Sequence, residues 1–241
     1  VFCPVSPEFC HDVGVTEHSA SSRIQKLRTP RAAAAAGVLF AVLFAAVLIL
    51  VRTALPEGAA PGSQWLEAGS FHIEVAAVLM PFAGISFLWF IGVLRDGFGR
   101  LEDKFFSTVF LGSGILFLAM MFAASAVGAG LAASSNALGE SAAHTDVASF
   151  GRMLLLTLSK TYALRMGAVF MMSLATIWLR TGLMPRWLAL STYVMAIALL
   201  IASDVSMWLT LVFPAWVLVV SVLLLTRAGV FEHHREENPH H

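Results

Sequence analysis

The stretch that decides the fold reads RMLLLTLSKTYALRMGAVFMMSLATIWLR over residues 152–180 and continues as TGLMPRW over residues 181–187. Between Lys160 and Arg180 it carries a single charge, Arg165. A run of about 20 predominantly apolar residues matches the thickness of the hydrocarbon core of a bilayer. The pattern therefore predicts a long membrane-spanning helix over residues 152–180.

The turn after this helix is predicted from three adjacent residues. Pro185 opposes continuation of the helix because proline has no amide hydrogen to donate. Arg186 suits the phosphates of the cytoplasmic headgroups, and Trp187 suits the aromatic belt at the membrane interface. We interpret this turn as a helix boundary and not as a functional site.

Composition extends the membrane assignment to the whole chain. Hydrophobic residues make up 58% of the sequence and charged residues 12%, and the mean hydropathy is +0.80. Soluble domains carry roughly a quarter charged residues. The charges here fall in short clusters between long apolar runs, which excludes a soluble enzyme domain. Because the formal net charge is zero, nothing indicates nucleic acid as a partner.

Five further apolar runs complete an all-α bundle of six transmembrane helices. The predicted spans lie at about 32–51, 71–94, 105–132, 152–180, 187–203 and 207–226, which make one transmembrane domain over residues 32–226. The first run exceeds the hydrophobic region of a signal peptide, so we expect a retained helix. Residues 1–31 are predicted to form a flexible basic tail, and residues 227–241 a polar tail.

Two features should shape the packing of these spans. Pro81 lies inside the second span and is expected to kink it, because it removes one backbone hydrogen bond. Small residues in the third span should allow neighbouring helices to approach closely. These residues are Gly112, Ser113, Gly114, Ser125, Gly128 and Gly130.

The distribution of basic residues predicts the orientation in the membrane. Eleven of the 15 Lys and Arg residues fall on the side that holds both tails and the second and fourth connections. Basic residues concentrate on the cytoplasmic side, so both termini are predicted to be cytoplasmic. Six acidic residues fall on the outer side: Glu57, Glu67, Glu74, Glu140, Asp146 and Asp204.

Arg165 is the first candidate for a functional residue. At 1.5 Å per residue it lies about 22 Å from Arg180, in the outer half of the bilayer, and the same counting puts Glu74 and Asp204 near its level. We therefore predict an intramembrane charge cluster of Arg165, Glu74 and Asp204. It can be a structural clasp, which we favour, or a gate or anion site. In a third interpretation Arg165 reaches the headgroups alone.

Helical spacing supplies a face for this cluster. By the i, i+4, i+7 rule, polar and flexible residues of the fourth span share one side with Arg165. We expect that this side points into the bundle. Its members are Thr157, Thr161, Arg165, Met172 and Thr176.

Imidazole and carboxylate groups on the predicted outer face raise the alternative of a metal site. His72 and Glu74 are two residues apart, as are His144 and Asp146. These groups suit Zn²⁺, but residues two apart diverge by about 200° on a helix. The spacing matches no established metal motif, so we favour ordinary interfacial side chains and expect no cofactor.

The segment around the Pro185 turn resembles a group of uncharacterised actinobacterial six-span membrane proteins. The resemblance rests on the turn L-x-P-R-W-L at 183–188, on YALRM at 162–166 and on FLGSGILFLAMMFAA at 110–124. It implies a six-helix protein of the plasma membrane. It implies no activity, because none is assigned to that group.

Three functions are compatible with the sequence. The first is a small transporter or channel-like bundle that uses Arg165, Glu74 and Asp204, and the second is an accessory subunit that packs against a protein partner or a second copy. The third is an enzyme of the outer leaflet built on the His and carboxylate residues. No catalytic motif is present, so the sequence favours a non-enzyme whose certain partner is the lipid bilayer.

Overall fold

The computed structural model describes residues 14–55, 64–98, 104–138, 142–182, 184–202 and 207–236. Within these ranges the chain is helical and contains no strand. The predicted all-α class is therefore confirmed. The helices are α1 Gly14–Ala54, α2 Gln64–Phe98, α3 Lys104–Leu138, α4 Ala142–Leu156, α5 Leu164–Thr181, α6 Arg186–Ala202 and α7 Val212–Glu236.

Two short segments of different helical geometry accompany them. A π-helical segment, Thr157–Ala163, joins α4 to α5 without a break, and we call it the π segment. A 3-10 segment, Met207–Leu211, leads into α7. The predicted fourth span is thus one continuous helical element with a π turn inside it.

Five helical stretches are long and apolar enough to cross a membrane. They are Ala34–Ala54, Ser70–Arg95, Phe105–Ser134, Asp146–Thr181 and Leu209–Thr226. The remaining predicted span corresponds to Arg186–Ile201, which is apolar but shorter. Length and composition therefore identify five of the six predicted spans directly.

The helices extend beyond the predicted spans at both ends of the chain. α1 begins at Gly14 and passes through Pro30, so the backbone of residues 14–31 is helical. Residues 15–29 contain neither Gly nor Pro, and nothing in them interrupts a helix once it has formed. α7 likewise continues past residue 226 to Glu236.

The outer surface of the bundle is apolar. On α2 the exposed side chains include Phe71, Val78, Phe82, Ile85 and Trp89, and on α6 they include Trp187, Leu190, Val194, Ile197 and Ile201. Both sets recur at intervals of three or four residues, apart from one interval of seven, so each forms one helix face. A helix in water turns polar residues outward, whereas these faces are suited to lipid.

The helices pack side by side in a ring. α1 packs against α2 and α7, α3 against α2 and α5, and α6 against α5. The ring closes through a hydrogen bond in which Nε1 of Trp216 on α7 donates to Oγ1 of Thr192 on α6 at 3.0 Å. Thr192 is fully buried, so this polar contact lies between helices and not at the surface.

Aromatic side chains fill the centre of the ring. Phe40 packs on Phe87 with ring centroids 4.5 Å apart, and Phe117 packs on Phe213 at 4.7 Å. These distances are in the range that favours aromatic pairs. We call the six central rings the aromatic plug: Phe40, Phe44, Phe87, Phe117, Phe170 and Phe213.

Small residues let the helices approach, as predicted, but only at some positions. A Cβ placed on Gly114 would lie 2.7 Å from Cδ1 of Ile91, and one on Gly128 would lie 3.1 Å from Cδ1 of Leu155. The glycines Gly112 and Gly130 face open space instead. Only two of the four predicted glycines therefore serve close packing, because the other two lie on a different side of α3.

Pro81 lies within α2, and the helix continues on both sides of it. The pyrrolidine ring is on the exposed side of the helix. Nearby, the Ser86 hydroxyl donates to the carbonyl oxygen of Phe82 at 2.9 Å. Bonds of this kind, from Ser or Thr to the carbonyl one turn back, let polar residues lie inside an apolar bundle.

Candidate functional site: a cavity with two cations

A cavity lies at one end of the bundle, beside the aromatic plug. It contains about 720 Å³ of empty space, counting its open side. Its walls come from α1, α2, α3, the junction of α4 with the π segment, and the 3-10 segment. Most lining side chains are apolar, and five are polar: Arg52, Ser125, Ser159, Lys160 and Thr210.

Small side chains line part of the cavity. They are Ala76 and Ala77 of α2 and Ala124 and Gly128 of α3. Gly128 is also a packing position, because a Cβ there would lie 3.1 Å from Cδ1 of Leu155.

Arg52 lies two residues before the end of α1, where it reaches the 3-10 segment. Its Nη2 donates a hydrogen bond to Oγ1 of Thr210 at 3.2 Å. Arg52 is half-buried and Thr210 is buried. This bond joins two elements that are 158 residues apart in sequence.

Lys160 comes from the π segment, on another wall of the cavity. A π turn holds one more residue than an α turn, and such turns occur often at functional sites. The neighbouring Ser159 hydroxyl donates to the carbonyl oxygen of Leu155 at 2.7 Å. Both Ser159 and Lys160 line the cavity, so the π segment turns its polar residues toward that space.

Counting along the helices places the two cations at a similar level. The Phe44 ring packs against Phe117 with centroids 5.5 Å apart, and a Cβ on Gly167 would lie 3.6 Å from Cδ2 of Phe117. From the level of Phe117, Arg52 is eight residues along α1, about 12 Å away. Lys160 is seven residues back from Gly167, about 10 Å in the same direction, because α5 runs antiparallel to α1.

The charged residues that line this cavity, among the side chains that the structure describes, are basic. Arg52 and Lys160 line it, and no Asp or Glu is among its lining residues in the part of the chain with placed side chains. Apolar walls lower the local dielectric constant and strengthen the field of a cation. The arrangement is suited to an anion.

The predicted charge cluster lies near the cavity but does not line it. Arg165 is half-buried on α5, directly after the lining residue Leu164. Glu74 is exposed on α2, between the lining residues Ile73 and Ala76. Asp204 lies outside the described residues. Pairing of Arg165 with either carboxylate therefore stays a prediction.

The predicted inward face of the fourth span is only partly buried. Its five members, Thr157, Thr161, Arg165, Met172 and Thr176, are all half-buried. The buried side of α5 instead carries small and apolar residues, among them Gly167, Ala168, Met171, Leu174 and Ala175. The π segment also shifts the register between Thr161 and Arg165, which the i, i+4 rule for an α-helix does not include. Thr176 shares a 2.5 Å hydrogen bond with the Tyr193 hydroxyl of α6.

The metal candidates are only partly described. His72 is half-buried, its ring lies edge-on to Phe71, and its Nδ1 is buried without a hydrogen-bond partner among the placed atoms. Asp146 is exposed, and the His144 side chain lies outside the described ones. Among the residues that were placed, no three His, Cys, Asp or Glu side chains group to hold a metal ion. The metal hypothesis stays a prediction.

Sequence reasoning treated Arg52 and Lys160 only as markers of orientation. Two signals point to them in retrospect. Both fall on the side that has few basic residues, and Lys160 belongs to a polar triplet, Ser159-Lys160-Thr161, that interrupts an apolar run. The contact of Arg52 with Thr210 has no signal in the local sequence.

No protein-family model, curated protein or solved structure matches the chain. The class of the protein therefore follows from its own architecture. Five apolar helices of membrane-spanning length, apolar outward faces and a buried aromatic centre define an integral membrane protein of the multi-pass, all-helical kind.

Proposed function

We propose that the chain is a six-span transporter of the plasma membrane that takes an anionic ligand into the cavity from the outer face, with both termini in the cytoplasm. The observation that carries this proposal is the pair of cations, Arg52 and Lys160, in an otherwise apolar cavity. Charged residues at membrane depth are costly and generally serve function.

The orientation supports access from outside. The cavity lies at the end of the bundle where α1 ends and α2 begins. The positive-inside rule assigns that end to the outer face, since the opposite end holds eleven of the 15 basic residues. The resemblance to actinobacterial six-span proteins supports the same location and count of spans.

The proposal of six spans counts α6 as a span in addition to the five longer helices. The 16 residues from Arg186 to Ile201 span about 24 Å, against about 30 Å for the hydrocarbon core. A short span is accommodated when the bilayer thins locally or flanking residues reach toward the interface. Trp187 at the start of α6 is suited to that anchoring.

The aromatic plug favours a transporter over an open channel. It fills the ring on the inner side of the cavity with tightly packed rings. A ligand in the cavity can proceed only if these rings move apart, which is the behaviour of a carrier that alternates between two states.

Uptake into liposomes tests this proposal. Purified protein is reconstituted, and entry of radiolabelled methanesulfonate and benzenesulfonate is compared with protein-free liposomes. We expect protein-dependent uptake of at least one anion, reduced to background by Arg52→Gln combined with Lys160→Gln. Arg95→Gln, which changes an exposed cation near the end of α2, should retain uptake. Absence of uptake, or equal uptake in the double variant, contradicts the proposal.

A further inference from the structure

The size of the cavity limits what it can hold. The volume that the centre of a water molecule can reach inside it is about 50 Å³, and the larger empty volume given above includes open solvent. One buried water needs about 10–15 Å³, so the cavity holds roughly three to five water molecules. Benzene, for comparison, binds in a cavity of about 150 Å³. A ligand inside is therefore compact and carries neither an alkyl chain nor an aromatic ring.

Two polar side chains on the cavity walls have donors that the protein itself does not use. Lys160 and Ser125 line the cavity, and neither makes a hydrogen bond or an ion pair within the part of the chain that the structure describes. The other polar side chains are engaged: the Ser159 hydroxyl donates to a backbone carbonyl, and Arg52 donates to Thr210 and has a further interaction. The ammonium of Lys160 and the hydroxyl of Ser125 are therefore open to a ligand.

Helix packing places these two donors at a similar level on different walls. α3 packs against the π segment, and a Cβ on Gly128 would lie 3.1 Å from Cδ1 of Leu155. Ser125 precedes Gly128 by three residues, and Lys160 follows Leu155 by five. Consecutive spans run in opposite directions, so these offsets are about 4.5 Å and 7.5 Å the same way. The two backbone positions therefore differ by only about 3 Å along the bundle axis.

We infer that Lys160 and Ser125 bind a compact anion inside the cavity, where the ammonium supplies the charge and the hydroxyl donates a hydrogen bond. This inference rests on the proposed function for the role of the cavity as an anion site. It adds the size class of the anion and a second residue, Ser125, that holds it. Arg52 is not needed as a direct ligand of this anion.

The chemistry of the two donors favours an anion over a neutral ligand. An ammonium is a point charge that imposes little geometry, and a hydroxyl contributes one donor hydrogen. Hydrogen bonds with an ionised partner are about twice as strong as neutral ones, and apolar walls such as Met80 and Met121 strengthen them further. Chloride, nitrate and methanesulfonate are compact enough for this space, whereas benzenesulfonate carries a ring that the volume excludes.

Chloride NMR of the protein in nanodiscs of zwitterionic lipid tests the inference. Chloride that exchanges with a protein site gives a broader signal than free chloride, and gluconate serves as the background anion because it is larger than the cavity. We expect broadening that saturates with chloride concentration and is absent from empty nanodiscs. Nitrate and methanesulfonate should displace the bound chloride and narrow the signal, and benzenesulfonate at the same concentration should not.

Variants connect the binding of chloride to the two residues. Lys160→Met keeps the length of the side chain without its charge, and Ser125→Ala removes the hydroxyl. Each should weaken the affinity for chloride about tenfold, the effect of losing one charge-assisted hydrogen bond. Ser125→Thr keeps the hydroxyl and should bind like the parent. Ser134→Ala is the matched control on α3, because that hydroxyl donates to the carbonyl oxygen of Leu131. Size-exclusion profiles verify that each variant is folded.

Three results would overturn the inference. The first is the absence of saturable broadening, or equal chloride affinity in Lys160→Met and the parent. The second is an effect of Lys160→Met without any effect of Ser125→Ala, because the site would then not use both donors. The third is displacement of chloride by benzenesulfonate as readily as by methanesulfonate, because the cavity would then not limit the size of the anion.

The two proposals fail separately. If methanesulfonate or benzenesulfonate uptake depends on Arg52 and Lys160 but chloride shows no saturable binding, the transporter proposal stands and the compact-anion site falls. If chloride binds with the expected dependence on Lys160 and Ser125 and no anion enters the liposomes, the site stands and transport falls.

Discussion

Arg52 and Lys160 are half-buried cations among side chains that are mostly apolar. A charged residue at the centre of a transmembrane helix costs about 3 kcal/mol on insertion scales. Arg52 lies near the end of α1 and donates a hydrogen bond to Thr210. Lys160 reaches the cavity from the wide turn of the π segment.

The bond between Arg52 and Thr210 makes a prediction about stability. Thr210→Val keeps the shape of the side chain but removes the acceptor, and we expect a loss of about 0.5–1.5 kcal/mol. Thermal unfolding of the detergent-solubilised protein measures it. Thr210→Ser keeps the hydroxyl and should unfold near the parent. Equal melting temperatures for Val and Ser variants would show that the bond contributes nothing.

At the scale of elements, substitutions at two glycines of α3 distinguish the effect of helix packing on stability from the effect of helix propensity. Gly114 faces Ile91 and Phe170, whereas Gly112 faces open space. We expect Gly114→Leu to destabilise the protein by about 1–3 kcal/mol, because a side chain there forces α2 and α5 away. Gly112→Leu should change stability by less than about 1 kcal/mol. The comparison is made by thermal unfolding of both variants, and similar losses would contradict the packing of α3.

The π segment supplies a second prediction at this scale. Tyr162 is exposed within it, and its deletion removes the extra residue of the wide turn. α4 and α5 should then join as one α-helix, with α4 rotated by about 100° relative to α5. We expect circular dichroism to show the same helix content and the protein-dependent uptake of anions into liposomes to be lost. Unchanged uptake would mean that Lys160 does not need the π geometry.

These elements also show what sequence can and cannot predict. The apolar runs are local patterns, so the helices, their approximate spans and the turn at Pro185 follow from them. The cavity depends on contacts such as Arg52 with Thr210, between residues 158 positions apart. The choice of Arg165 as the central residue assumed α-helical register throughout, and the π segment breaks that register before Arg165.

At the scale of the whole molecule, orientation is the property on which the proposed function depends. In a background with Cys3 and Cys10 changed to Ser, single cysteines are introduced as Asp146→Cys and Arg95→Cys, both at exposed positions. A membrane-impermeant maleimide should label Asp146→Cys in intact cells and Arg95→Cys only after permeabilisation. The reverse pattern would place the cavity at the cytoplasmic face.

The ring of helices and the aromatic plug together describe a bundle that is closed on one side of the cavity. Polar contacts between its helices include Trp216 with Thr192 and Thr176 with Tyr193. Apolar packing provides most of the remaining contacts, and packing of this kind can change between two arrangements at modest cost. Opening of the aromatic plug is the conformational change that transport requires.

Native mass spectrometry of protein released from its own membranes tests the central claim most directly, because it detects what the cavity holds without added probe. We predict an adduct whose fragments identify an anionic ligand in the parent and in Arg95→Gln. The adduct should be absent when Arg52→Gln and Lys160→Gln are combined. The same adduct in all three proteins, or one formed by a zwitterionic lipid, would contradict a cavity selective for anions.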